Sequence, residues 1–350
     1  MSSITDNNEG MRVSLCCLSP DEIVTALGLA RRFQGKQIYN WINVKYAEFS
    51  DMTNLPLSLR EHLIREYQSP LSSHVSDVQG DGSDALKIAV TYPDDAVVEA
   101  VILSDGKGRN TACLSSQIGC AMGCAFCRTG TMGLVRNLTA AEIVEQFIHI
   151  RRLQPDTSHI VFMGMGEPLA NTEQVIKAIE HLHDPDGINI SYRRMTISTC
   201  GLVPGIDTLR ERKLPVRLAL SLTGANDSKR DTLMPINTRY PLSEVKEALI
   251  AYQKVMKKRI TLEYVMMSTV NVTQQDAKDI ALFARGLEVV VNLIPYNEAA
   301  ELPFRTVSDR EFESFAHELT RLKIPYTQRL SKGQSINGAC GQLAVPLNRS

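Results

Sequence analysis

The chain has 350 residues, 43% apolar and 22% charged, which suits a large packed core in one big or two modest domains and excludes disordered and fibrous classes. Thirty-eight Lys and Arg against 39 Asp and Glu leave a net charge of -1, so no global positive field attracts nucleic acid and any basic face is local. Eight cysteines are too few for a disulfide scaffold, no apolar run is long enough for a membrane span, and no secretory leader pattern opens the chain; the expectation is a cytoplasmic protein whose clustered cysteines serve metal binding or catalysis.

Residues 1–18 read as a flexible, polar N-terminus. Ser19 is a helix N-cap followed by Pro20, Asp21 and Glu22, and Ile23, Leu27, Ile38, Trp41 and Ile42 recur at helical spacing. With a further helix over 57–67, residues 19–70 form a small helical domain. Its Arg31, Arg32, Lys36, Arg60 and Arg65 read, from composition alone, as solvated helix faces. Short β-branched runs at 85–90 and 97–103, split by Tyr-Pro-Asp-Asp, predict a hairpin within a 71–110 extension. From 111 to 330 the rhythm changes. Strand-like runs at 113–118, 160–163, 195–199, 216–220, 260–266 and 289–294 alternate with helical patterns at 140–153, 172–183, 205–212, 242–256, 274–286 and 309–322. Such alternation predicts a parallel sheet with right-handed crossovers. About six units fall short of a closed eight-fold barrel, leaving a partial barrel or an open doubly wound sheet. Residues 331–350 form a final loop and tail.

Cys120, Cys124 and Cys127 stand in a C-x-x-x-C-x-x-C loop directly after the first of those runs. Three soft thiolates so close together can wrap one inorganic centre. Zinc is a rival, although a structural zinc site wants four ligands and no second pair with that spacing exists. An iron–sulfur cluster held by three thiolates keeps one iron without a protein ligand. Other polar residues recur where strands end: Gly166 and Glu167 in Met-Gly-Met-Gly-Glu-Pro, Ser198, Ser221 before Leu222 and Thr223, and Asn297. Singly each is a turn or a cap; together on one rim they point to a shared ligand.

The cysteine spacing resembles that of the radical S-adenosylmethionine (SAM) superfamily. The resemblance implies a partial (β/α)6 barrel and a 4Fe–4S cluster on Cys120, Cys124 and Cys127. The unique iron chelates SAM, which is cleaved to a 5′-deoxyadenosyl radical. It also implies cofactor contacts from Gly166, Glu167, Ser198, Ser221, Leu222, Thr223 and Asn297. Within that superfamily, the segments around Cys113 and Cys340, together with 136–139, 164–171, 234–237, 263–266 and 292–297, resemble the RlmN/Cfr family of RNA adenosine methyltransferases. The similarity extends over about 25 to 345.

That family's chemistry assigns three roles. Cys340 carries a methyl group taken from one SAM, while a second SAM generates the radical that activates it for attack on the adenine ring. Glu99, in Val98-Glu99-Ala100-Val101, is the proton acceptor. Cys113 is the resolving thiol, releasing product through a transient disulfide with Cys340. The implied target is carbon 2 of adenosine 2503 in 23S rRNA, and adenosine 37 of some tRNAs, with carbon 8 methylation as an alternative. The helical domain, Arg193, Arg194, Lys257, Lys258 and Arg259 are expected to help bind RNA, with Arg31 and Arg32. A flavodoxin-like reductant and a monomeric, membrane-free enzyme complete the expectation. Two further readings are glycyl-radical activases, which share the triad, and a zinc-stabilised RNA-binding protein with Cys113 as fourth ligand. Thr223 stands where family members have histidine, and 332–338 lacks their acidic residues. Cys16, Cys17 and Cys200 receive no role.

Overall fold

The computed structural model describes residues 14–82, 84–329 and 332–344. The chain begins with three helices, α1 (Pro20–Ala26), α2 (Arg32–Asn43) and α3 (Leu57–Tyr67). Ser19 caps α1 reciprocally with Glu22, the exchange expected of that pair. Ile23, Ile38, Ile42 and Leu63 supply the buried faces.

An antiparallel run follows: β1 (His74–Gly80), β2 (Ala85–Thr91), β3 (Val97–Ser104) and β4 (Asn110–Cys113). The expected hairpin is β2–β3, and β1 adds an outer strand to it. β1 is almost wholly exposed, so the apolar alternation that reveals a strand is absent from its sequence. The run expected at 113–118 is divided. β4 ends at Cys113, and β5 (Gln117–Cys120) leaves the main sheet to pair with β6 (Gly133–Asn137) on either side of the short helix α4 (Arg128–Thr131).

Thereafter strands and helices alternate: α5 (Ala140–Leu153), β7 (Thr157–Phe162), α6 (Thr172–His183), β8 (Met195–Thr199), α7 (Val203–Glu211), β9 (Arg217–Ser221), α8 (Asp227–Leu233), α9 (Leu242–Met256), β10 (Ile260–Met266), α10 (Gln274–Ala284), β11 (Val289–Pro295), α11 (Asp309–Arg321) and β12 (Tyr326–Gln328). The ten-stranded main sheet runs β1-β2-β3-β4-β7-β8-β9-β10-β11-β12, and every pair from β4·β7 to β11·β12 is parallel. The sheet order leaves this parallel set open, a partial barrel rather than a closed one. β12, three residues long and exposed, extends the parallel set beyond the six expected runs.

Two networks join the parts. Arg136 pairs with Glu142 at 2.8 Å and Asp94 at 2.7 Å, tying β6 and the β2–β3 turn to the start of α5, where Glu142 also closes a capping box with Thr139. Deeper in α5, the fully buried Glu145 accepts the backbone N–H groups of Ser72 (2.7 Å) and Ser73 (2.9 Å) and both hydroxyls. One carboxylate thus satisfies the linker between the helical domain and the sheet. His149 stands one turn further, with Nε2 3.0 Å from the Ser73 hydroxyl. Burial, reinforced by Arg152, pushes it down to about 3.

The folded protein keeps His149 neutral where the unfolded chain takes up a proton, below about 6.5. Stability therefore falls as pH drops from about 6.5 towards 3, and His149→Gln flattens that fall in melting temperature measured against pH; an unchanged slope would contradict it. Glu145→Ala strands the Ser72 and Ser73 donors at about 1–3 kcal/mol for each buried group, and lowers the melting temperature by several degrees.

Candidate active site

The parallel strands carry their carboxyl ends to one edge, and the cysteine loop lies there. The segment 163–167 after β7 packs flush against 114–117. The Ser115 hydroxyl accepts the Met165 N–H at 2.8 Å and donates to the Glu99 carbonyl at 2.6 Å, and Gln117 Oε1 accepts the Glu167 N–H at 2.8 Å. A Cβ on Gly164 would lie 2.7 Å from the Ser115 hydroxyl, and one on Gly166, at φ +96°, 2.6 Å from Gln117 Cβ. These glycines are therefore required by close backbone approach. Glu167 is buried, its carboxylate accepting the N–H groups of Leu169 (3.0 Å) and Cys200 (2.8 Å), while burial pushes its pKa up.

Cys120, Cys124, Cys127, Gly166, Glu167, Ser198, Ser221 and Asn297 all line one cavity of about 160 Å³. Leu222 and Thr223 do not line it. Both are fully buried behind Ser221, with Leu222 N–H on the Glu263 carbonyl at 2.9 Å. Thr223 adopts φ +48° and accepts Asn271 Nδ2 through its carbonyl at 2.8 Å, while its hydroxyl has no partner among the described residues.

The donor set suits an iron–sulfur cluster. Burial raises all three thiols, Cys120 to about 12 and Cys124 further, as expected of thiols packed with no metal cation beside them. Beside them lies Arg230, fully buried, its guanidinium donating to the carbonyls of Ser221 (3.0 Å), Cys200 (2.6 Å) and Leu222, with its charge reaching Cys124. Arg230 Nε has no partner among the described residues. A buried cation with spare donor capacity complements a thiolate-ligated, net-negative centre. Among the described residues, no group of three His, Cys, Asp or Glu side chains is arranged to hold a single metal ion.

Cys113 neighbours Cys340, whereas Glu99 lines neither this cavity nor the larger one that holds Cys113. Cys113 is opposite Val101 in the β3–β4 register, and Glu99, two residues away, shares that sheet face. Glu99 Oε1 pairs with Lys87 at 2.7 Å, both side chains about nine-tenths buried, and Oε2 accepts the Ala344 N–H at 2.9 Å. Cys340 is held by its backbone. Its carbonyl accepts Asn297 Nδ2 at 3.1 Å, and Asn297 Oδ1 accepts Gln334 Nε2 at 2.7 Å. On the other side, Arg128 N–H reaches the Gly341 carbonyl at 2.9 Å and the Thr129 hydroxyl the Leu343 carbonyl at 2.6 Å.

A second cavity, of about 820 Å³, holds Cys113 and shares with the first a wall of Met163, Glu263, Ile294, Asn297, Arg329 and Cys340. Cys340 thus faces both. The charge of Arg329 lies by Cys340, Cys113 and Glu263. Burial first, and then Cys340, pushes the Cys113 thiol up to about 12. Cys113 lines the larger cavity and not the one lined by the triad, which counts against it as the fourth ligand of the zinc reading. Arg329, Glu263, Arg230 and Lys87 carry no mark in the sequence, because each becomes a site neighbour only through strand pairing or a distant loop. Of the four, only Glu263 falls in one of the short segments, 263–266, that carry the family resemblance.

The sequence pattern of the Radical SAM superfamily matches residues 114–284. A probable dual-specificity RNA methyltransferase RlmN from Treponema pallidum (strain Nichols) is 43% identical over 335 residues, 94% of this chain and 97% of that protein. The dual-specificity RNA methyltransferase RlmN of Pelobacter propionicus is 43% identical over 320 residues, covering 91% of each. The crystal structure of a radical SAM methyltransferase from Sphaerobacter thermophilus superposes with a TM-score of 0.89 at 38% identity, over 94% of this chain and 98% of that one.

Replacing Cys120, Cys124 or Cys127 singly with Ala is expected to give anaerobically reconstituted protein without the brown cluster colour. A variant that keeps full iron and sulfide content would exclude that thiol as a ligand.

Proposed function

Because this chain belongs to the RlmN family of dual-specificity RNA methyltransferases within the radical SAM superfamily, we propose that it methylates carbon 2 of adenosine 2503 in 23S rRNA, and adenosine 37 of some tRNAs, through an S-methylcysteine at Cys340. One observation carries the reading. Cys340 lies on the wall between the cavity lined by the cysteine triad and the cavity that holds Cys113.

Cys120, Cys124 and Cys127 would hold the cluster, which would supply the electron that cleaves SAM to the 5′-deoxyadenosyl radical needed to take a hydrogen atom from the S-methyl group. Two SAM molecules serve each turnover, one as methyl donor and one as radical source. Gly166, Glu167, Ser198, Ser221 and Asn297 form the SAM-binding wall, with Leu222 and Thr223 supporting it from behind. Thr223 offers a hydroxyl where an imidazole is usual, so no proton-transfer role falls on this position.

Cys340 Sγ first takes the methyl group by polar displacement, the positive sulfonium of SAM leaving as a neutral thioether. Arg329, beside that sulfur, offsets the charge of the attacking thiolate. Once the methylene carbon is bonded to the ring, the adduct loses its unpaired electron, which the cluster oxidised in cleaving SAM would take back, and Glu99 accepts the proton from the attacked carbon. Lys87 and the Ala344 N–H hold its two oxygens in place. Cys113 then attacks the Cys340 sulfur as a thiolate, the sulfur–carbon bond breaks with its electron pair going to carbon, that carbon takes up a proton to become the methyl group, and the Cys113–Cys340 disulfide is left for cellular reductant to reopen. A flavodoxin-type protein is the proposed electron donor to the cluster, and the enzyme acts as a monomer. Among the described residues, no helix is long and apolar enough to cross a membrane.

The test is reconstituted enzyme with SAM, reductant and a 23S rRNA fragment, followed by mass spectrometry of the digested nucleosides. The expected product is 2-methyladenosine; 8-methyladenosine or unmodified adenosine would overturn the assignment. Cys113→Ala is expected to accumulate a covalent RNA adduct through Cys340, and normal turnover by that variant would remove the resolving role. Glu99→Gln is expected to slow product formation by about a hundredfold or more.

A further inference from the structure

The amino ends of the parallel strands carry a charge pattern that the catalytic edge lacks. Arg109 immediately precedes β4, Arg193 and Arg194 precede β8, Arg217 opens β9, and Arg259 precedes β10. With Lys107, all are exposed and all line the mouth of the larger cavity, the one that reaches Cys113 and Cys340. Arg109 is paired with Asp105 at 3.3 Å. Arg193, Arg194, Arg217 and Arg259 have no ion pair among the described residues. In the helical domain, by contrast, Arg32 is occupied by Asp21 and Arg65 by Glu66, while Arg60 donates to the Ser50 carbonyl.

We propose that these arginines form a phosphate-binding collar through which an unpaired RNA segment enters the barrel, from the end opposite the cofactor. The inference rests on the RNA reading above and names the route and the residues that serve it. Charge complementarity chooses the occupant: unpaired guanidinium groups ringing a cavity mouth match a polyanionic backbone that follows the rim. Topology chooses the direction. In a parallel sheet the amino-end collar and the carboxyl-end thiols lie at opposite ends of strands such as β8 and β9, whose five residues span about 16 Å. Cys340 lines both cavities, so a base coming from the collar and SAM coming from the thiol end reach it from opposite sides.

The same field is felt by its neighbours. His159 is pushed down by burial and then by Arg109, Arg194 and Arg217, and Lys258 by burial and then by Arg193 and Arg217. A duplex keeps its bases stacked and paired, so the collar admits a loop whose adenosine is turned out of the stack.

The experiment measures binding of a fluorescein-labelled RNA stem-loop, carrying the target adenosine in its loop, to cluster-loaded protein by anisotropy across a salt series, with the fully paired duplex as competitor. Arg194→Ala/Arg217→Ala is expected to weaken binding roughly tenfold and to lower the salt slope by about 1.4, at about 0.7 for each single-strand phosphate deprived of its guanidinium partner. Its iron content and melting temperature stay those of the unaltered protein. Arg31→Ala/Lys36→Ala on the helical domain is expected to cost less, and the duplex to compete poorly. Unchanged affinity in the collar variant, or a larger loss in the helical-domain variant, would overturn the proposed route while leaving the RNA reading intact. Failure of the unaltered protein to bind the stem-loop at all would overturn the RNA reading and the collar with it.

Discussion

Parallel strand pairing is the constraint on which the rest depends. Because every strand from β4 to β12 in the main sheet points the same way, their carboxyl ends share one edge and their amino ends the other. The thiols, the glycine-rich segment, Ser198, Ser221 and Asn297 collect at the first edge, and the unpaired arginines at the second. Helices α5, α6, α7, α9, α10 and α11 return the chain between strands, so neither edge is interrupted. Two unlike environments, one soft and largely buried and one cationic and open, thus arise from a single topological rule.

Cys340 stands between those environments because residues 332–344 are tied on both sides. Asn297 and Gln334 hold it from the β11 side, and Arg128 and Thr129 from the cysteine loop. The ties to the cysteine loop join the segment carrying Cys340 to the segment carrying the triad. Ordering of the loop by metal and placement of the sulfur are therefore physically coupled. The buried groups around the cavity work in the same direction. Arg230, a fully buried cation, is costly without a counter-charge, and a net-negative centre on Cys120, Cys124 and Cys127 would supply one.

Much of the barrel was legible in sequence, because periodic burial leaves a periodic trace. α5, α6, α9, β8 and β10 lie where their patterns put them, and the Thr139–Glu142 capping box marks the first residue of α5. What escaped has little periodic signal. β1 is an exposed polar edge strand, and β12 is three exposed residues. The division of β4 from β5 depends on Ser115 and Gly164 meeting face to face, a contact between segments some fifty residues apart. The triad was legible from its spacing. Arg329 and Lys87 were not, and of the arginine collar only Arg193, Arg194 and Arg259 stood out, because the rest gain meaning only when strands distant in sequence become neighbours. Charge composition hid the collar as well: a net charge of -1 averages the two edges away.

Cys340, set between the two cavities, is proposed to carry the methyl group on its way to RNA. Peptide mass spectrometry of cluster-loaded protein, incubated with SAM and reductant before any RNA is added, measures this directly. The peptide holding Cys340 is predicted to be heavier by one CH2 unit, with the modification on that sulfur. RNA methylation proceeding while Cys340 stays unmodified throughout would contradict the account.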